Sequence, residues 1–421
     1  MIRQRGVLTG LLALAAALML ATTAMAATTP AKEAAAKPAP AKKAPAKELP
    51  PYVIPVATDS TGPFSSDQII IFLGQQMAIA AINAQGGIAG RKLAVRAYDT
   101  GSDNAKAVPV YNAMVNDVHP TVILSNFSGP AAAMLPSLNR DKVNLINVSG
   151  AAPLLEPPGY AFCARPDYPD ELIAFANWLK TSLPAGKPMP KIALLLVNAA
   201  FGQASTRAVP VLESMGFQVV TQQFVPFSLV DPTPQLLAIR DAKPDYVWVV
   251  HALGQMAQIM TAANQLGLTK ETTFVAPSVG GLVDVARISG VAATEGMMQV
   301  SPYASFTETK LPGVKAMNQM LQQDNPAQFP PGINHYMGWS TAALAAEALR
   351  IAVAKVGWDK LTGEDVHKAL TSGKLDIGGV TFPQDFSKTR RGTNFERVHK
   401  VVKGVPTPQS DWYPLPYNLK Y

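Results

Sequence analysis

The sequence has 421 residues, of which 48% are hydrophobic and 15% charged, and its formal net charge is +7. Arg3 and Arg5 account for two of these charges and residues 27–50 for a net three, so residues 51–421 carry only +2. A body with so little excess charge gives no basis for nucleic-acid binding. It is long enough for two domains with full cores, and its single cysteine, Cys163, excludes an internal disulfide.

The N-terminus has the pattern of a cleaved export signal. Two arginines precede an apolar stretch from Val7 to Leu20, and Ala24-Met25-Ala26 is a small-residue cleavage site. We therefore predict a signal peptide over residues 1–26, with a retained membrane anchor as the alternative. No cysteine follows the apolar stretch, so we do not expect a lipoprotein.

Residues 27–50 are almost entirely Ala, Lys and Pro. Such a composition cannot bury enough apolar surface to offset the entropy lost on ordering, and it predicts a disordered linker. An adhesive segment for an anionic envelope surface is the alternative interpretation.

A strand–helix–strand unit at Thr121–Leu155 gives the first indication of a binding site. Each of its strands ends in a small polar loop, Asn126–Gly129 after the first and Val148–Ala151 after the second. Ligands of open parallel sheets bind beyond the carboxyl ends of the strands. Each loop offers a hydroxyl and the free N–H groups of a helix start, which together suit a carboxylate.

The rest of the body repeats this alternation of strands and helices, once before residue 168 and again from about Pro169 to Ser301. Repeated βα units predict an α/β fold of parallel sheets with helices on both faces. After Ser301 we expect three helices and two short strands, at Gly313–Gln323, Met337–Lys355, Gly363–Leu370, Gly379–Phe382 and Arg397–Val402.

Motifs of catalysis and cofactor binding are missing from the sequence. It contains no phosphate-binding loop, no GxGxxG, no HExxH and no GxSxG. The five histidines are scattered without the spacing of metal ligands. The loops at the strand ends are built from small, apolar and amide side chains, which are typical of a binding site. We therefore expect no catalytic residue, no metal and no cofactor.

Several stretches occur together in the order typical of one family: SerThrGlyPro at 60–63, AINAQGGIAGRKL at 81–93, YDTGSDNAKAV at 98–108, and the loops at 126–129 and 148–153. By them the chain, from Tyr52 to Gly404, resembles the periplasmic leucine/isoleucine/valine-binding proteins of ABC transporters. The resemblance implies two Rossmann-like lobes joined by three hinge crossings, with the ligand closed between them. It implies a first lobe of residues 51–168 plus 302–376 and a second of 169–301 plus 377–421.

The resemblance also implies which residues bind the ligand. The carboxylate of the ligand would be held by Ser128, Ser149 and the backbone of Ala151, where the family usually has a threonine. An aromatic residue of the second lobe corresponds to Phe201. The acid that binds an ammonium group in the amino-acid receptors corresponds to Ser278, so that acid is missing here.

The set of eight expected site residues is completed by Asp67, Phe127 and Leu253. Asp67, near the start of the first helix, is in a position to supply the missing acid from the other lobe. Phe127 and Leu253, with Val279, would give the cleft an apolar lining.

Together these features predict a periplasmic receptor that passes a small carboxylate-bearing ligand to the inner-membrane permease of an ABC importer. The ligand favoured is an aliphatic, branched-chain amino acid. The alternatives are an aromatic or short-chain acid without an amine, and a ligand sensor of the same fold. We expect a monomer.

Overall fold

The computed structural model describes residues 49–387, 391–393 and 395–415. The predicted signal peptide and residues 27–48 of the predicted linker lie outside the described residues. Within the described part of the chain, no helix combines the length and the apolar character that a membrane crossing requires.

The first part of the chain alternates strands with helices. Its elements are β1 (Tyr52–Thr58), α1 (Ser65–Ala84), β2 (Leu93–Asp99), α2 (Ala107–Val118), β3 (Val122–Ser125), α3 (Ser128–Asp141), β4 (Asn144–Asn147), α4 (Ala152–Leu155) and β5 (Ala161–Cys163).

These five strands form one sheet in the order β2-β1-β3-β4-β5, and every pairing is parallel. All residues of β3 and β4 are buried, as expected for strands covered on both faces. Asn147 of β4 lies opposite Cys163 of β5. The segments that follow these two strands therefore leave the sheet side by side.

The second part of the chain repeats the alternation. Its elements are α5 (Tyr168–Ser182), β6 (Lys191–Val197), α6 (Ala200–Gln203), α7 (Val209–Ser214), β7 (Gln218–Val225), α8 (Thr233–Ala242), β8 (Tyr246–Val250), α9 (Leu253–Gln265), β9 (Thr273–Ala276), α10 (Leu282–Ser289), α11 (Val291–Thr294) and β10 (Met298–Ser301).

The last part is helical and then returns to strands, and the three predicted helices are confirmed. Its elements are α12 (Pro312–Asp324), α13 (Ile333–Val356), α14 (Gly363–Thr371), β11 (Lys374–Leu375), β12 (Gln384–Asp385), β13 (Phe395–Val402), β14 (Val405–Pro408) and β15 (Tyr413–Pro414). Short 3-10 helices occur at Asn104–Lys106, Ala204–Ala208, Leu268–Lys270, Ser278–Gly280, Pro326–Gln328 and Trp358–Lys360.

The second sheet has the order β14-β13-β10-β9-β8-β6-β7, with β15 beside β13. The pairings among β6–β10 are parallel, but β13 runs antiparallel to both β10 and β14. The α/β fold is thus confirmed, although the second sheet is mixed where we expected parallel strands. The tight connection between β13 and β14 accounts for the antiparallel pairing of these two strands, because a hairpin can join only antiparallel neighbours.

The predicted strand at Gly379–Phe382 was wrong. Gly378 and Gly379 have positive φ angles of 74° and 77°, and both of their N–H groups donate to the carboxylate of Asp376. The chain therefore turns there, and only Thr381 forms an isolated bridge, with Tyr303.

The chain passes between the two sheets three times. It leaves the first sheet after β5, because α5 packs in a core with β6, β8 and β10. It returns after β10, since α12, α13 and α14 share a core with β1 and β3, and it leaves again to form β13. The residues at which the predicted lobes divide stay a prediction.

Helices α1 and α13 pack in close contact beside the first sheet. A Cβ atom at Gly338 of α13 would lie only 1.9 Å from the carbonyl oxygen of Ile71 in α1. Glycine is required at this position because any side chain would push the two helices apart. This contact fixes the two helix starts, and thereby Asp67 and Asn334, relative to each other.

Candidate functional site

A cleft with an empty volume of about 670 Å³ lies between residues of the first sheet's layer and residues of the second. Six of the predicted site residues line it: Asp67, Phe127, Ser128, Ser149, Phe201 and Leu253. Ala151 and Ser278 are not among the lining residues. That any of the eight contacts a ligand stays a prediction.

The two predicted serines present free hydroxyls to the cleft. Ser128 is the first residue of α3, and the residue before it makes no side-chain capping bond. Within the described part of the chain, neither the Ser128 nor the Ser149 hydroxyl donates or accepts a hydrogen bond. The first N–H groups of α3 have no intrahelical acceptor. This edge of the cleft therefore offers donors to an anionic group.

Ala151 has a structural role next to the edge of the cleft that Ser128 and Ser149 form. It is the residue before α4, where its carbonyl oxygen accepts hydrogen bonds from the N–H groups of Leu154 and Leu155, at 2.8 and 3.2 Å. Its half-buried methyl group packs against the core on the far face of the first sheet. Ala151 thereby shapes the loop that carries Ser149.

Asp67 supplies a carboxylate on another wall of the cleft. It lies half-buried in the first turn of α1, and its Oδ1 accepts a hydrogen bond of 3.0 Å from Nδ2 of Asn334 in α13. Burial raises the pKa of Asp67, and the bond from Asn334 opposes that rise. A cation that entered the cleft would find the carboxylate of Asp67 only weakly hydrated.

Ser278 lies behind the cleft wall, fully buried. Its hydroxyl donates to Oε1 of Glu171, its N–H donates to the same oxygen at 3.1 Å, and it accepts a bond of 3.0 Å from Nη1 of Arg165. The hydroxyl is therefore already engaged by protein groups. Ser278 joins a buried acid to a buried base, a role that the sequence did not indicate.

Arg165 and Glu171 were missed by the sequence analysis. Both side chains are fully buried, and Arg165 also lines the cleft. Burial raises the pKa of Glu171 to about 7, against the opposing effects of Arg165 and Ser278. Arg165 follows β5, so the rule that selected the loops after β3 and β4 would have found it if applied to the next strand.

Aromatic rings close the apolar side of the cleft. The rings of Phe64 and Phe127 lie 4.7 Å apart, and Phe227 meets Phe64 edge-on at 5.1 Å. Phe227 follows β7 of the second sheet, so this contact spans the cleft. Farther along, Tyr168 lies 5.9 Å from Phe201. The sequence analysis had identified only Phe127 and Phe201 of this group.

The sequence profile of the family described as periplasmic binding protein matches residues 51–404. The chain belongs to the periplasmic binding protein family. The matched residues include the whole first sheet, strands β6–β10 and β13 of the second, and all the residues of the cleft described above.

Among the curated relatives of this periplasmic binding protein is the Leu/Ile/Val/Thr-binding protein of Salmonella typhimurium. The two are 28% identical over 253 residues, which cover 59% of this chain and 67% of the relative. A leucine-, isoleucine-, valine-, threonine- and alanine-binding protein of Pseudomonas aeruginosa is 26% identical and covers 71% of this chain and 78% of its own length.

Solved structures share the fold of this periplasmic binding protein. A branched-chain amino acid ABC transporter protein from Thermus thermophilus with bound valine superposes with a TM-score of 0.77 at 21% identity, covering 87% of this chain and 97% of the other. A solute-binding protein from Rhodopseudomonas palustris in complex with 3,4-dihydroxybenzoic acid gives a TM-score of 0.70 at 20% identity, covering 86% and 97%.

The described residues of this periplasmic binding protein include no group of three His, Cys, Asp or Glu side chains that could hold a metal ion. What the cleft does provide is an apolar cavity with one acid, one base, two serines, one tyrosine and three amides on its walls. Such a set can bind and orient a small molecule that carries both polar and apolar parts.

Proposed function

We propose that this protein is a periplasmic receptor for an α-amino acid with an apolar side chain, which it delivers to the inner-membrane permease of an ABC importer. The observation that carries the proposal is the separation of polar groups in the cleft. Ser128 and Ser149 offer free donors at the strand ends of the first sheet, while Asp67 offers an acceptor from the start of α1.

An amino acid has the complementary pattern. Its carboxylate accepts hydrogen bonds from hydroxyl and N–H donors at a helix start. Its ammonium group is costly to desolvate unless a negative group or several acceptors meet it. Asp67 meets that need, with Asn334 holding its carboxylate in place.

The apolar lining supports an aliphatic side chain on the ligand. Phe201, Leu253 and Val279 contribute to the second-sheet wall, and each is only half-buried, so part of its surface faces the cavity. Burying an aliphatic side chain contributes about 1.5–3 kcal/mol. The names of the curated relatives, which refer to leucine, isoleucine and valine, point the same way.

Transport rather than catalysis is the second part of the proposal. Binding in the cleft would stabilise a closed arrangement of the two halves, which is a population shift without chemistry. We infer that the receptor is exported through its N-terminal signal, acts as a monomer and binds no nucleic acid. A sensor of the same fold would differ by its membrane partner, so a transport assay with a reconstituted ABC permease distinguishes the two.

An acid without an amine is the second candidate ligand. The aromatic cluster of Phe64, Phe127 and Phe227 favours it, because these rings can pack against the ring of an aromatic acid. The Rhodopseudomonas palustris neighbour has such an acid bound.

A thermal-shift screen of the mature protein tests the proposal. The panel contains the aliphatic amino acids, 4-methylpentanoate, benzoate and 3,4-dihydroxybenzoate. A ligand present at 100 times its Kd stabilises the folded state by about 2.7 kcal/mol, which raises Tm measurably. We expect leucine, isoleucine or valine to give the largest shift. A larger shift with an amine-free acid would favour the second candidate, and no shift with any carboxylate would contradict both.

A further inference from the structure

Arg165 is a buried base on the wall of the cleft, and its protein partners engage only part of it. The side chain has no solvent-exposed surface. Nη1 donates to the Ser278 hydroxyl at 3.0 Å and lies 4.0 Å from Oε2 of Glu171. The guanidinium lies over the ring of Tyr168, with 4.7 Å between Cζ and the ring centroid.

The other two nitrogens, Nε and Nη2, have no hydrogen-bond partner among the described residues. They lie on one edge of the planar guanidinium, with their N–H groups parallel. This is the edge that binds both oxygens of a carboxylate at once. Leaving donors of a charged group buried without acceptors is costly, because the group has lost its hydration and gained no hydrogen bond in exchange.

The backbone brings this edge to the place where the predicted carboxylate site lies. Asn147 and Cys163 are register partners in adjacent parallel strands. Ser149 and Arg165 each follow two residues later, in the segments that leave these neighbouring strands. Both residues line the same cleft. A carboxylate bound to the Ser149 hydroxyl is therefore within reach of the Arg165 side chain.

The charges around Arg165 leave it able to attract an anion. Two buried acids lie nearby, Glu171 and Glu396. Burial raises the pKa of both carboxyl groups, Asp167 further raises that of Glu171, and Glu171 further raises that of Glu396. Near neutral pH the pair therefore carries less than its full negative charge.

We propose that the Nε–Nη2 edge of Arg165 binds the carboxylate of the ligand, beside the hydroxyls of Ser128 and Ser149. The inference rests on the proposed function in that the ligand occupies this cleft. It narrows the ligand class to compounds with a free, ionised carboxylate and excludes their amides and esters. Arg165 thus becomes the residue that selects acids, a role separate from the recognition of the amine.

Paired ligands test this selection. Calorimetry measures leucine and leucinamide, which differ only at the carboxyl group, on wild type, Arg165→Gln and Arg165→Lys. We expect Arg165→Gln to weaken leucine binding by about 100-fold, in line with truncation of one partner of a buried charged pair. Leucinamide should change by less than about threefold. Arg165→Lys keeps the positive charge but lacks the Nε–Nη2 edge. Its loss of leucine affinity should therefore lie between about threefold and 100-fold.

Arg207→Gln is the matched control, because Arg207 is a partly exposed arginine that pairs with Asp167 and does not line the cleft. It should leave the preference for leucine over leucinamide unchanged. Equal losses for acid and amide in Arg165→Gln, or no loss for either, would overturn the inference.

The inference and the proposed function fail separately. If leucine does not bind wild type but an acid without an amine does, the amino-acid proposal fails. The role of Arg165 is then tested by comparing the affinities for that acid and for its amide. If no carboxylate binds wild type, both fail. A crystal structure of wild type with a bound acid gives a test that needs no variant to fold. We expect both oxygens within about 2.7–3.2 Å of Nε and Nη2; a carboxylate bound elsewhere would contradict the inference.

Discussion

Nη1 of Arg165 donates a hydrogen bond of 3.0 Å to the hydroxyl of Ser278, and this bond connects the strand ends of the two sheets. Arg165 follows β5 of the first sheet, and Ser278 follows β9 of the second. Ser278 passes the connection on to Glu171, at the start of α5. One wall of the cleft is therefore a buried polar network, held in place by residues from three segments.

The network predicts a pH-dependent stability. Burial raises the pKa of Glu171 from 4.5 to about 7, so the folded state binds this proton more tightly than the unfolded state does. The stabilisation is present in full below pH 4.5 and is lost as the pH rises through about 7. Relative to wild type, Glu171→Gln should gain on the order of 3 kcal/mol in unfolding free energy between those limits.

Urea titrations of both proteins across this pH range measure the difference. Comparing variant with wild type cancels the contributions of the buried histidines. Glu213→Gln, which changes an exposed acid, should show no such trend. A difference for Glu171→Gln that does not vary with pH would contradict a raised pKa at this position.

The Ser128 hydroxyl should contribute directly to ligand affinity. It has no hydrogen-bond partner among the described residues, so its loss leaves no protein group unpaired. Hydrogen bonds to charged groups contribute about 1.5–3 kcal/mol, so Ser128→Ala should weaken binding of a carboxylate ligand by about 10- to 150-fold. Calorimetry measures this. Ser137→Ala, on the same helix but outside the cleft, is the control, and equal affinities for Ser128→Ala and wild type would rule out the contact.

The sequence predicted the fold because its signals are local and repeated. Apolar strand runs, helix starts and turn residues alternate from Tyr52 to Ser301, and that alternation alone specifies parallel strands with crossover helices. The strand ends then pointed to Ser128 and Ser149 by position. The prediction of a strand at Gly379–Phe382 was wrong for a local reason as well. A short apolar run does not reveal that Gly378, Gly379 and Asp376 make a turn.

The buried network could not be read from the sequence in the same way. Arg165, Glu171 and Ser278 are separated by up to 113 residues along the chain, and each has an ordinary local explanation. Glu171 is an acid in a first helical turn, where acids are common. Ser278 stood out in the sequence only because the amino-acid receptors of the family have an acid at the corresponding position. Their pairing depends on the approach of two sheets, which no local pattern encodes.

The two halves of the cleft should move relative to each other when ligand binds. The Phe64–Phe227 contact at 5.1 Å and the Arg165–Ser278 bond are the contacts that an opened cleft would lose. Small-angle scattering should therefore give a smaller radius of gyration with saturating ligand than without it. The same radius in both conditions would contradict closure.

The variant Phe227→Ala should weaken ligand binding by a few fold, because it destabilises the closed state.

The most direct test of the central claim is calorimetry with leucine and 4-methylpentanoate, its analogue without the amine, on wild type and Asp67→Asn. Asp359→Asn, which changes an exposed acid, controls for net charge. We predict that wild type and Asp359→Asn bind leucine about 10- to 100-fold more tightly than the analogue, and that Asp67→Asn erases most of this difference. If 4-methylpentanoate binds wild type more tightly than leucine does, the cleft is not an amino-acid site.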